Sequence, residues 1–302
     1  MTNQRKHIMG KTSSGWGNGF IGMLIFSGSM PATRVAVMDL DPLFLTGARA
    51  GIAGLLALCA LLLLRQQFPT PSQWRSLAVV AVGVVLGFPL LTALALQQVT
   101  SAHSMVFLGM LPLSTAIFGV LRDGERPRPS FWFFSLLGSA LVMGFAAAQG
   151  LSASWRGDLL MLLAIAVCGM GYAEGAKLSR ALGGWQVISW ALVLSLPAML
   201  VLAAVQWPAN LAAVGAPAWL GLAYVSLFSM LIGFMFWYRG LAQGGIAAVG
   251  QLQLLQPFFG LALAASLLHE AVSPGMVGVT LAVILCVIGA KKFAQPALAT
   301  AR

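Results

Sequence analysis

The chain is 302 residues long, 59% hydrophobic and only 8% charged. A soluble globular domain carries roughly 25% charged residues, so a fully water-exposed surface is excluded and the bilayer is the expected solvent. The net charge of +10 would suit a nucleic-acid partner only if the basic residues shared one soluble face, and their spacing along the chain excludes that.

Residues 1–14 are polar and basic and read as a cytoplasmic tail with little fixed structure. A spanning helix needs ~20 largely apolar residues. Such runs fall at about 16–38, 42–64, 74–96, 101–121 and 129–148, then at about 157–180, 185–206, 217–238, 246–268 and 273–292, followed by a tail at 294–302. In lipid every backbone amide must be satisfied internally, and these runs are too long for alternating barrel strands. The expected fold class is an all-α membrane protein with ten transmembrane helices.

The first run holds Gly17-Asn18-Gly19-Phe20-Ile21-Gly22, a literal G-x-G-x-x-G. No strand precedes it, so it is not a dinucleotide fingerprint; small residues so spaced let helices pack closely. Being full length, this run is expected to stay in the mature protein rather than act as a cleavable signal. Pro31 predicts a bend in it, because proline removes a helical hydrogen bond. The second run opens after Asp41-Pro42 and carries Arg49. Gly83 and Gly87 give the third run a small face. Cys59, Cys168 and Cys286 fall in different apolar runs, which implies neither a disulfide framework nor a metal site.

Leu96, Gln98, Ala102, Pro112 and Glu125 recur as Leu241, Gln243, Ala247, Pro257 and Glu270, each 145 positions later (241 − 96). Internal repetition of this kind divides the chain into two five-helix units, 15–149 and 150–293. Five spans per unit is odd, so the second unit enters from the opposite side: two inverted five-helix repeats, a plan common among secondary transporters. With the N-terminus inside, cytoplasmic segments hold fourteen of the lysines and arginines, outer segments hold only Arg156, and Arg34 and Arg49 are embedded. That positive-inside bias predicts a multi-pass protein of the cell inner membrane with both termini cytoplasmic and no nucleic-acid partner.

Embedded charges usually face a cavity or a partner. Arg34 and Arg49 lie toward the outer side near Asp39 and Asp41, and read as a structural charge cluster or as an anion-attracting vestibule, with Arg34 preferred for the latter. Glu174 and Lys177 share a helix face and read as a local ion pair; alternatively Glu174 is a carboxylate for a substrate amine or for proton coupling. Gln253 and Gln256 need hydrogen-bond partners away from lipid and either bridge helices or bind a polar solute. Tyr172, Trp237 and Tyr238 read as interfacial belt residues or as aromatic walls of a site. Pro31, Pro112, Pro257 and His103 are the gate or hinge candidates. The three histidines are too dispersed for a metal, and no cofactor is implied.

Ser29-Met30-Pro31-Ala32-Thr33-Arg34, Pro42-Leu43-Phe44 leading to Arg49, and the segments ending Gly124-Glu125 and His269-Glu270 resemble the drug/metabolite transporter superfamily. The EamA-type branch, with ten spans in two five-helix repeats, is the most similar. His269 stands where that pattern usually has glycine. The resemblance implies a small-molecule transporter rather than an enzyme, often an exporter of amino acids or related compounds working by alternating access. The competing readings are a lipid flippase and a non-transporting helper subunit of a membrane complex. An intramembrane enzyme would need paired acids or a nucleophile with its base, and the spans show neither. Oligomeric state is open, a homodimer included.

Overall fold

A computed structural model describes residues 2–99, 104, 107–148, 154–268 and 274–294. Among them there is helix and no strand. The N-terminal helix α1 already begins at Thr2 and runs to Ser27, which corrects the expectation of a tail with little fixed structure: no proline or helix-ending glycine turn separates the polar residues from the apolar run behind them. The helix breaks at Gly28 and resumes as α2, Ser29–Ala36. Pro31 cannot donate to the Ser27 carbonyl, and the expected bend takes the form of this interruption.

Helix α3, Pro42–Leu63, is fixed at its start by sequence-local chemistry. The Asp41 carboxylate accepts from the Leu43 and Phe44 amides at 2.8 and 3.2 Å, and Pro42 occupies the first turn, where its missing N–H costs nothing. Next come α4 (Pro71–Val80), a π-helical stretch at Ala81–Gly87, and α5 (Phe88–Ala95). Helix α6 is Leu111–Asp123, closed by Gly124 at φ 70°, and α7 is Pro129–Ala148.

The second half repeats this order. Helix α8, Trp155–Leu182, is followed by α9, Gly184–Val205, with Gly183 between them at φ 95°. Then come α10 (Ala216–Tyr224), a π-helical stretch at Val225–Ile232, and α11 (Gly233–Gly244). A short α12 (Ile246–Gly250) leads through a 3₁₀ stretch, Gln251–Leu255, into α13 (Gln256–Leu268); α14 is Pro274–Phe293. The two π stretches start 144 positions apart (225 − 81), so the repeat extends to a backbone irregularity. Pro112 and Pro257 are each the second residue of their helix. They lie near the middle of the fourth and ninth apolar runs, which alone would make them mid-helix prolines; the structure makes them helix starts after irregular backbone.

Among the described residues five helical runs are continuous, long and apolar enough to cross a membrane: Pro42–Leu63, Pro71–Ala95, Trp155–Leu182, Gly184–Val205 and Ala216–Gly244. A shorter apolar helix spans Pro129–Phe145. The first run is divided at Gly28 and the ninth by its 3₁₀ stretch.

The halves interlock. Helix α1 packs on α11 and, correspondingly, α8 packs on α5 and α6, while α3 pairs with α9 and α7 with α14. The α1–α11 crossing is a glycine contact. A Cβ on Gly240 would stand 2.7 Å from Gly19 Cα, and one on Gly15 would stand 2.5 Å from the Gly244 nitrogen. Gly17 faces open space, so the helix-packing reading holds for Gly19 and Gly22 and not for Gly17, whose place is taken by Gly15, outside the quoted motif. Gly83 likewise lies against Gly171 of α8. One core cluster runs through both halves, joining Met23 and Phe26 to Tyr172 and Trp237.

Candidate functional site

Where α1 breaks, two of its last carbonyls accept from side chains of the other half, the Ile25 carbonyl in addition to a long bond from the Gly28 amide at 3.4 Å. The Tyr224 hydroxyl donates to the Ile25 carbonyl at 2.7 Å, and the Gln256 side-chain amide donates to the Phe26 carbonyl at 3.3 Å. Irregular backbone at membrane depth is tolerated where protein or a cavity satisfies it. Here a cavity adjoins the break. It is lined from the first half by Ser29, Met30 and Thr33 after the break, by Arg49 of α3, by Val84 of the first π stretch, and by Phe88, Pro89 and Thr92 of α5. Leu108 and Leu111 follow, and the second half adds Tyr172, Ser229, Phe234 and Gln256. The cavity volume is about 40 Å³, room for a few waters at roughly 10–15 Å³ each.

The polar corner of this cavity has a defined wiring. Ser29 Oγ donates to Ser229 Oγ at 2.8 Å, and the Arg49 guanidinium donates to the same oxygen at 3.3 Å. Arg49 is 7% exposed and its Nε has no hydrogen-bond partner. Among the described residues no carboxylate pairs with it. Arg34, the cation preferred from sequence, is exposed and does not line the cavity. The preference is therefore reversed, because Arg49 shares a helix face with Thr46 and Ala53, small buried residues that turn toward the bundle. The neighbouring acids are committed to backbone: Asp41 caps α3, and Asp39 accepts from the Gly215 amide at 2.9 Å.

The opposite wall is aromatic. Tyr172 packs on Phe234 and Trp237, with ring centroids 5.9 and 5.5 Å apart, and Phe26 closes on both of those rings. Tyr172, Trp237 and Tyr238 are buried in the core, which corrects the interfacial-belt reading. Gln253 is buried beside Tyr172, and neither of its amide atoms has a hydrogen bond of good geometry. Gln256 both lines the cavity and bridges to α1, so the two roles weighed for it coexist.

Glu174 lies elsewhere. It is buried and accepts from Arg122 Nε and Nη2 at 2.9 and 2.8 Å and from the Ser76 hydroxyl. Its partner is Arg122 rather than Lys177, whose ammonium donates to the Arg122 carbonyl at 3.0 Å. Arg180 pairs with Asp123 nearby. The Glu125 carboxylate, also buried, accepts from the Ile246 and Ala247 amides at 2.6 and 2.7 Å, capping the start of α12. Burial pushes its pKa above the ordinary glutamate value, against the pull of those two amides. The corner glutamines also reach across: Ser154 Oγ donates to Gln98 Oε1 at 3.2 Å, and Asn18 Nδ2 to Gln243 Oε1 at 3.3 Å. His103 and Glu270 lie outside the described residues.

Of the site residues named from sequence, Tyr172 and Gln256 line the cavity; Gln253 adjoins Tyr172 and Trp237 packs on its ring, while Pro31, Pro112 and Pro257 are chain neighbours of the lining residues Met30, Leu111 and Gln256. Arg34 and Glu174 lie outside the cavity. Ser29 stood in the motif quoted above, but nothing in the chain singles out Ser229, whose role depends on a contact 200 positions away.

Comparison with known proteins extends these observations. A family model described as the EamA-like transporter family matches residues 14–145 and 155–290. An "Uncharacterized transporter YdeK" of Bacillus subtilis (strain 168) is 68% identical over 95% of this chain and 100% of its own length. The "Uncharacterized transporter YvbV" of the same organism is 24% identical over 92% of each chain. A solved crystal structure superposes with a TM-score of 0.77 at 20% identity, covering 93% of this chain and 98% of its own; that likeness concerns the fold.

Proposed function

We propose, from the premise that the chain belongs to the EamA-like transporter family, that it moves a small metabolite out of the cell by alternating access. The frame is ten spans in two inverted five-helix repeats, 15–149 and 150–293, in the cell inner membrane with both termini cytoplasmic. The observation that carries this reading is the cavity at the broken first helix, walled by both halves at repeat-related positions such as Val84 and Ser229. Substrate sites of inverted-repeat transporters lie at such an interface, beside discontinuous helices. A cavity enclosed by helices of both halves suits a solute better than the open lipid-facing groove a flippase needs.

Metabolites in cells and medium of a strain overproducing the protein provide the test, with Leu111→Trp as the control that fills the cavity. A solute enriched in the medium with the intact protein and not with Leu111→Trp, at equal membrane levels, is the expected result. Equal export by both forms would remove the cavity from the pathway. Topology is checked with single cysteines in a background lacking the native ones. Asn210→Cys should react with an impermeant maleimide in intact cells, and Gln67→Cys only after lysis.

A further inference from the structure

We propose that the cavity takes a monoanionic organic acid: a carboxylate held by Arg49 and Ser229, with Ser29 orienting the Ser229 hydroxyl and an apolar body against the aromatic wall. This rests on the cavity being the solute site.

A buried cation with no counter-ion is costly, several kcal/mol after relaxation, and is retained where it meets a partner. Arg49 is 7% exposed, and among the described residues its Nε is unpartnered and its one side-chain bond goes to a neutral hydroxyl. A guanidinium's planar fork matches a carboxylate with two parallel bonds. Ser229 Oγ already accepts from both Ser29 and Arg49; a hydroxyl has one donor and two acceptor sites, so its own proton is left for a third atom. Arg49 and Ser229 thus present donors and no ionic acceptor, which is the complement of an anion.

The charge balance narrows the class. Among the described residues the cavity lining contains one cation and no acid. One guanidinium neutralises one negative charge, so a dicarboxylate or a phosphate dianion would bury an unmatched charge. An amino-acid zwitterion would bring an ammonium with no carboxylate to meet it, since Glu174 is consumed by Arg122 and Ser76. Beyond the polar corner the walls are Phe26, Phe88, Leu111, Tyr172 and Phe234, which favour a branched or aromatic body over a sugar acid.

The test measures binding to the purified full chain in detergent, and uptake into liposomes containing it, with phenylacetate as the probe. Phenylacetamide, phenylalanine and malonate are the neutral, zwitterionic and dianionic comparators. Phenylacetate should bind, and each comparator should bind at least about tenfold more weakly, the worth of a hydrogen bond to a charged group. Arg49→Gln should abolish the preference for acid over amide. It should also raise the melting temperature of the ligand-free protein, because it removes an uncompensated charge; a structural arginine would have the opposite effect. Ser229→Ala, which keeps the cation, should weaken phenylacetate binding and retain the preference. Equal binding of acid and amide, tighter binding of phenylalanine, no binding of phenylacetate, or a preference that survives Arg49→Gln would each overturn the anion assignment. Carboxylate binding without uptake would leave the anion site standing and overturn the transport reading. Export of a neutral or cationic solute through the cavity would do the reverse.

Discussion

The two halves present the cavity with equivalent backbone and different chemistry. Val84 and Ser229 sit in matching π-helical stretches, and Leu111 and Gln256 each open a helix just before a proline. At both positions the first half offers a hydrocarbon and the second a hydrogen-bonding group that reaches across to the first. The lesson is that the repeat conserves shape, while recognition comes from breaking the symmetry. A symmetric pair of glutamines would leave one without the Phe26 carbonyl to bond, and a buried unsatisfied amide costs about 1–3 kcal/mol.

The largest expected effect separates polar groups that serve the cavity from those that hold the fold. Arg122→Met leaves the buried Glu174 with the Ser76 hydroxyl alone. It should lower stability by about 1–3 kcal/mol, read as a drop in melting temperature in detergent, with per-molecule transport retained in what remains folded. Gln256→Leu makes the second half resemble the first and frees the Phe26 carbonyl; transport into vesicles should fall by roughly tenfold. Its reciprocal, Leu111→Gln, should cost less than about threefold, and equal losses would break the asymmetry. Ser229→Val copies Val84 and removes two hydrogen bonds, for an expected loss of about fivefold in solute affinity. Arg34→Gln should change stability by under about 0.5 kcal/mol and leave uptake unaltered, as exposed positions generally do; a large loss would restore Arg34 as a site residue.

Apolar run length made the helical class legible in the sequence because lipid imposes it on the chain directly, and the 145-residue echo made the repeat legible because two similar units keep their landmarks in register. The bend at Pro31 and the glycine crossing were legible because each follows from what a residue lacks. The polar wiring was less so. Lys177 is three residues from Glu174 and was the natural partner, but Arg122 approaches from another helix, and a long-range contact leaves no local spacing to read. Arg34 and Arg49 looked alike at similar depth. Only the small-residue face of α3, with Ala50, Ala53 and Ala57 buried, marks Arg49 as the inward one. Each π stretch closes at a glycine, Gly87 or Gly233, where a Cβ would meet the carbonyl five residues back, but a lone glycine in an apolar run does not announce a π turn.

Glu125 gives the frame a mechanical property. Its two carboxylate oxygens clasp the amides of Ile246 and Ala247, so the end of α6 and the beginning of α12 behave as one lever. Any rearrangement that opens the cavity from that end must carry both pieces together and take up its bending beyond the clasp, at the 3₁₀ stretch Gln251–Leu255. Spin labels on Leu121 and Ala248 would then keep a fixed separation while labels on Leu121 and Phe259 report the stroke.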